Sequence, residues 1–190
     1  MGEPPSDPRV PPGQGATPAW PVVHVGEVPA FEVGRWSLRV HGAVERELEL
    51  SWGELRAFER TSRRADFHCV TGWSRLDVLW EGVALRAVLA RAGVQAGALF
   101  VRFADGGFYD TTVPLAHALD DEALLADREA GDALPPEHGG PLRAVVPSLY
   151  GWKSCKWLRE IELLEAERLG YWEVRGYHNG ADPWREERLV

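Results

Sequence analysis

The sequence predicts an α+β, strand-rich fold, and three observations carry that expectation. Short runs that alternate apolar and polar residues outnumber segments with helical spacing, the helical segments are brief, and no internal repeat is present. At 190 residues, with 45% hydrophobic and 26% charged residues, the chain has the composition of an ordinary globular protein with one sizeable core.

Taken in order, residues 1–18 are rich in proline and glycine and carry hardly any large apolar side chain. They cannot bury enough surface to offset the entropy of ordering, so a flexible tail is expected there and one domain over residues 19–190. Trp36-Ser37-Leu38-Arg39-Val40 and Glu47-Leu48-Glu49-Leu50 alternate like half-buried strands. Ser51-Trp52-Gly53-Glu54 has capping-box spacing and predicts a short helix through Phe58. A second helix is predicted over Leu85 to Ala92, with Leu85, Val88 and Leu89 on one face and Gly93 as its stop. Leu99 to Phe103, Leu142 to Val146 and Ile161 to Leu164 read as further strands, the second closed by Pro147. From Tyr171 to Val190 the chain is rich in Trp, Tyr and Gly without periodicity, a texture expected of a segment that wraps a domain or frames a site.

The net charge of −8 argues against a nucleic-acid partner, whose phosphates call for a basic excess. No run approaches eighteen apolar residues and the first residues lack an apolar core, so neither a membrane association nor an export signal is expected. A cytoplasmic protein follows from that reading, in which Cys69 and Cys155 are free thiols.

Lysine is confined to one place. Lys153 and Lys156 are the only two, against nineteen arginines, and both lie in Tyr150-Gly151-Trp152-Lys153-Ser154-Cys155-Lys156-Trp157. Two point charges beside Ser and Gly suggest a site for a small anion such as phosphate, against the plainer reading of a solvated basic turn. In Asp66-Phe67-His68-Cys69-Val70-Thr71-Gly72-Trp73, a cysteine stands between apolar residues before a glycine turn. It reads as a buried structural cysteine, as a thiolate ligand to a soft metal, or as a nucleophile served by His138. Zinc is not indicated, because no Cys-x-x-Cys or pair of His stands at ligand spacing.

Phe67 to Trp73, Trp80-Glu81-Gly82-Val83, Tyr109 to Leu115, His138 to Arg143, Pro147 to Leu158 and Tyr177-His178 together resemble, in order and spacing, the sulfite oxidase family. The likeness is to its molybdopterin-binding domain, spans about Trp20 to Trp184, and is greatest to the stand-alone bacterial oxidoreductases. The resemblance implies the strand-rich mixed-sheet fold of that catalytic domain and a molybdenum–molybdopterin cofactor, with Cys69 as the protein ligand to the metal. It implies His138, Arg143, Ser154, Cys155 and Lys156 as cofactor contacts, with His24 and Asp105 at two further positions near the pterin. Asp105 before Gly106 fits a plain turn equally well. Tyr177, five residues after Trp172, and Trp80, before a glycine-containing step, match the substrate pocket; Trp80 fits core packing as well.

The chain departs from sulfite oxidases where they place arginines around an anionic substrate, having Val23-His24 and Gly72-Trp73-Ser74-Arg75 instead. Arg63, Arg64 or Arg75 would have to substitute. No Cys-x-x-Cys-His haem motif is present, so a separate electron-transfer partner is expected. Compared with the family's periplasmic methionine-sulfoxide reductases, it lacks paired N-terminal asparagines. The implied activity is oxygen-atom transfer to or from a small molecule, either a sulfite-like anion or an S- or N-oxide. A cofactor-free binding module of the same fold and a cysteine hydrolase using Cys69 are the alternatives.

Overall fold

Eleven strands and three short helices make up the computed structural model, which describes residues 7–190. In chain order they are β1 (Gly15–Ala16), β2 (Ser37–Gly42), β3 (Leu48–Ser51), α1 (Trp52–Arg56), β4 (Arg60–Cys69), β5 (Trp73–Ala84) and α2 (Leu85–Ala92), followed by β6 (Phe100–Ala104), β7 (Asp110–Pro114), α3 (Leu115–Ala118), β8 (Leu124–Glu129), β9 (Asp132–Ala133), β10 (Arg143–Val145) and β11 (Glu160–Leu164). One sheet runs β1-β5-β8-β10, with β4 also on β5 and β9 on β8; the other runs β3-β2-β11-β6-β7. Each is mixed, because β1 lies parallel to β5 and β11 parallel to β2 while the remaining pairs are antiparallel.

Local chemistry accounts for the predicted elements. Ser51 accepts from the Glu54 N–H while Glu54 returns to the Ser51 N–H, so α1 starts on the capping box the sequence announced. Helix α2 buries Leu85, Val88, Leu89 and Ala92 and ends at Gly93, at φ 74°. The apolar positions of β2, β6 and β11 meet in the main core as Leu38, Val40, Val101, Phe103, Ile161 and Leu163. Gly82 is required by packing, since a Cβ there would stand 1.9 Å from the Leu125 carbonyl oxygen on β8.

The sequence reading missed the β4–β5 hairpin, β7, β8 and α3. Half of β4 is Arg60-Thr61-Ser62-Arg63-Arg64, with no apolar alternation, and it is a strand because it is paired along β5. The tail expected over residues 1–18 is described from residue 7. Residues 7–18 lie against the hairpin: the Gly15 N–H donates to the Gly72 carbonyl, the Thr17 N–H to the Ser74 carbonyl, and Arg9 pairs with Asp77 at 3.0 Å. The segment buries little apolar surface, as its composition requires, but backbone bonds to a strand end hold it. Residues 1–6 lie outside the described residues. Among the described residues no helix is long and apolar enough to cross a membrane.

Candidate active site

Cys69 is the last residue of β4, and Val70-Thr71-Gly72 turn the chain into β5. Gly72 sits at φ 94°, where glycine is favoured, and its N–H returns to the Cys69 carbonyl at 3.0 Å. The Cys69 thiol lies 3.1 Å from the Thr71 hydroxyl and forms part of a cavity wall. Arg143, Ser154, Lys156, Trp172 and Tyr177 stand around the same cavity.

Arg143 enters from β10 and is buried. Its Nη1 donates to the His138 carbonyl at 2.9 Å and its Nη2 to the Ser154 carbonyl at 3.1 Å, while Nε has no partner. Phe67 and Trp80 rings flank it at 5.2 and 5.4 Å. Burial brings its pKa down to about 10. The Lys156 ammonium donates to the carbonyls of Val23, at 2.8 Å, and Glu137, at 2.7 Å. Burial, and then the charge of Arg143, lower its pKa to about 7. Among the described residues neither cation has a carboxylate partner. A buried guanidinium and a half-buried ammonium with only carbonyl acceptors favour an anion beside them.

The two lysines part company here. Lys153 points away into the interior and pairs with Glu173 at 2.6 Å, so only Lys156 faces the cavity. That corrects the expectation of two charges on one anion. Ser154 lines the wall, but its hydroxyl accepts from the Val146 N–H at 3.0 Å and its own N–H is taken by the Gly151 carbonyl. The Cys155 side chain does not line the cavity; it packs in the main core, where burial raises its thiol pKa.

The other expected contacts divide in the same way. His24 is on the wall, with Nδ1 3.1 Å from the Gly26 carbonyl and its ring edge-on to Trp157. His138 sits behind it, stacked on Trp20 with ring centroids 3.7 Å apart and Nδ1 buried without a partner. Burial, aided by Lys156 and Arg143, lowers its pKa to about 4, so it is neutral at pH 7. Asp105 is off the wall and caps its own turn, accepting from the N–H groups of Gly107 and Tyr109. Trp80 is fully buried, packs beside Arg143 and is also off the wall. Tyr177 faces the cavity, stacked on Trp172 at 4.8 Å, and burial together with Cys69 raises its phenol pKa. Its hydroxyl is therefore a protonated donor at neutral pH.

No arginine clamp forms. Arg63 donates to the Asp121 carbonyl, Arg64 to the Asp77 carbonyl, and Arg75 pairs with Glu129 at 2.8 Å; none lines the cavity. Sequence reading assigned no role to wall residues Trp20, Thr71, Trp73 and Tyr109, although the last three lie in motifs noted above. A hydroxyl next to Cys and scattered aromatics carry no periodic signal. The cysteine-hydrolase reading fails on geometry, since the thiol's partner is Thr71 and His138 is not on the wall.

The donor set fits molybdopterin. A soft thiol shares one cavity with two cations that lack carboxylate partners among the described residues, one of them the buried Arg143 with an unpartnered Nε, and the ligand's parts are a soft metal and an anion. Residues 25–172 match the family described as the oxidoreductase molybdopterin binding domain.

The chain belongs to this family.

It is a molybdenum-dependent oxidoreductase of the sulfite oxidase family, and its cofactor is molybdenum–molybdopterin. The molybdopterin oxidoreductase is 44% identical over 185 residues to an uncharacterized oxidoreductase, YuiH, of Bacillus subtilis, covering 96% of this chain and 92% of that one. It is 32% identical over 160 residues to the catalytic subunit of the protein-methionine-sulfoxide reductase MsrP of Campylobacter jejuni, covering 75% of this chain and 54% of that one. Among solved structures it resembles the sulfane dehydrogenase SoxCD of Paracoccus pantotrophus, with a TM-score of 0.66 and 26% identity over 73% of this chain and 40% of that one. The chain thus spans nearly all of YuiH but only about half, or less, of the other two.

Proposed function

We propose that this oxidoreductase transfers an oxygen atom at the Cys69 cavity, and that its substrate is a small uncharged S- or N-oxide rather than a sulfite-like anion. One observation carries the reading: the Cys69 thiol shares its cavity with aromatic rings and Tyr177, while Arg63, Arg64 and Arg75 are all engaged elsewhere. The one guanidinium that lines the cavity, Arg143, belongs to the cofactor in this reading, which leaves none for a dianionic substrate among the described residues. A sulfoxide or N-oxide needs an apolar surface for its substituents and one donor for its oxygen. The Tyr177 hydroxyl is that donor.

Cys69 ligates the metal in this reading, and Arg143 and Lys156 hold the anionic part of the cofactor, with His24 beside them. Bound there, the cofactor supplies two-electron redox chemistry coupled to oxygen-atom transfer. Tyr177 orients the transferred oxygen, and the Trp73, Trp172 and Tyr177 rings exclude water. Reducing an S-oxide consumes two electrons and two protons and releases water. The sequence holds no haem-attachment motif, so we assign the electrons to a separate redox protein. Two free cysteines fit a cytoplasmic setting.

The test is molybdenum content by plasma mass spectrometry for wild type and Cys69→Ser, followed by assays with reduced viologen against methionine sulfoxide and trimethylamine N-oxide, and with ferricyanide against sulfite. Near-stoichiometric metal, turnover of an S- or N-oxide and loss of turnover in Cys69→Ser are expected. Sulfite oxidation that outpaces both oxides would overturn the uncharged-substrate reading.

A further inference from the structure

Two segments far apart in sequence, around Gln14 and around Arg188, converge on the turn that carries Cys69. The Cys69 carbonyl accepts from Gln14 Nε2 at 3.0 Å, the Val70 carbonyl from Arg188 Nη1 at 3.0 Å, and the Gly72 carbonyl from the Gly15 N–H at 2.9 Å. Arg188 also joins the two segments, its Nη2 donating to the carbonyls of Gly13, at 3.0 Å, and Pro12, at 3.3 Å. The approach is close enough that a Cβ on Gly13 would stand 2.8 Å from Arg188 Nη2. On its other side, the Arg188 carbonyl accepts from the His178 N–H, and Leu189 bridges to Tyr177. One residue therefore touches the turn after the thiol and the backbone beside the cavity's phenol. Neither Gln14 nor Arg188 lies within the 25–172 stretch that matches the family.

We infer that Gln14 and Arg188 are positioning residues that fix the Cys69 turn against Tyr177 and thereby set the geometry of the thiolate at the metal. The inference rests on Cys69 being the metal ligand. A planar guanidinium suits the task because it addresses carbonyls of two segments at once from a rigid fork, which a lysine cannot do. A small displacement of a reacting group costs rate far more than it costs binding.

The experiment compares the molybdenum-loaded wild type with Arg188→Met, Arg188→Lys, Gln14→Leu and Cys69→Ser. It reads metal content, the electron paramagnetic resonance spectrum of the partly reduced protein, and kcat and KM separately. Arg188→Met and Gln14→Leu are expected to keep their metal, to give a shifted or broadened spectrum, and to lose about tenfold in kcat with KM little changed. Arg188→Lys is expected to restore part of the spectrum and rate. Lower thermal stability with a wild-type spectrum and kcat in both variants would make the contacts a brace only and overturn the inference. If Arg188→Met fails to fold, Gln14→Leu alone decides it. A wild-type spectrum in Cys69→Ser would instead remove the ligand assignment, and the inference with it, so the two failures are distinguishable.

Discussion

The Lys153 ammonium lies 2.6 Å from the Glu173 carboxylate, and neither side chain has any exposed surface. Glu173 also accepts from the Thr111 hydroxyl at 2.9 Å and the Trp152 indole N–H at 3.0 Å, while Lys153 donates to the Thr112 carbonyl at 2.8 Å. The pair ties the segment after Trp172 to β7 and to the loop that carries Ser154. Removing one partner leaves the other charge buried and alone. Glu173→Gln should cost about 3–5 kcal/mol in urea unfolding, and Lys153→Met/Glu173→Leu should recover much of it. A single-variant loss below 1 kcal/mol would contradict the arrangement.

Lys156 should behave in the opposite way. It has carbonyl acceptors and no carboxylate among the described residues, so Lys156→Met should leave the metal-free protein as stable as wild type or more so. The same change removes a charge-assisted contact worth about 1.5–3 kcal/mol, equivalent to roughly 10- to 100-fold weaker cofactor retention. Molybdenum and pterin remaining after dialysis measure it.

Tyr177 is placed as a donor whose phenol stays protonated. Tyr177→Phe keeps the stacking on Trp172 and removes only the hydroxyl. Loss of one such donor should lower kcat by about 100-fold with stability unchanged. A drop confined to KM would make Tyr177 a binding residue alone.

His138 gives a pH dependence of defined sign. Its folded pKa, about 4, is below the ordinary 6.5, so between those values the unfolded chain binds the proton and the folded protein does not. Its stabilising contribution is therefore complete above pH 6.5 and is lost as pH falls toward 4. In the metal-free protein the urea midpoint should drop over that window, and His138→Gln should flatten the drop.

Much of the fold was legible because alternation and caps are local. Helix α2 has the predicted bounds, α1 begins on the predicted cap, and β2, β3, β6, β10 and β11 fall within one or two residues of the runs that announced them. Strand β4 was not legible, because its charged first half becomes a strand only by pairing with β5. In the site, Cys69, Arg143, Lys156 and Tyr177 were named from the sequence and share one cavity, whereas Cys155 and Trp80, in the same motifs, and Asp105, at a further position, are off its wall.

By itself the sequence determined an acidic, strand-rich α+β chain, the confinement of its lysines to one loop, and the motifs that mark the molybdopterin family. Only the tertiary structure decided which lysine meets the cavity, that Arg63, Arg64 and Arg75 do not line it, and that Gln14 and Arg188 converge on the Cys69 turn. The reason is physical. Periodicity and capping are set by neighbours within a few residues, but the partner of a charge is set by packing between segments far apart in the chain, here by more than a hundred residues between Arg188 and Val70.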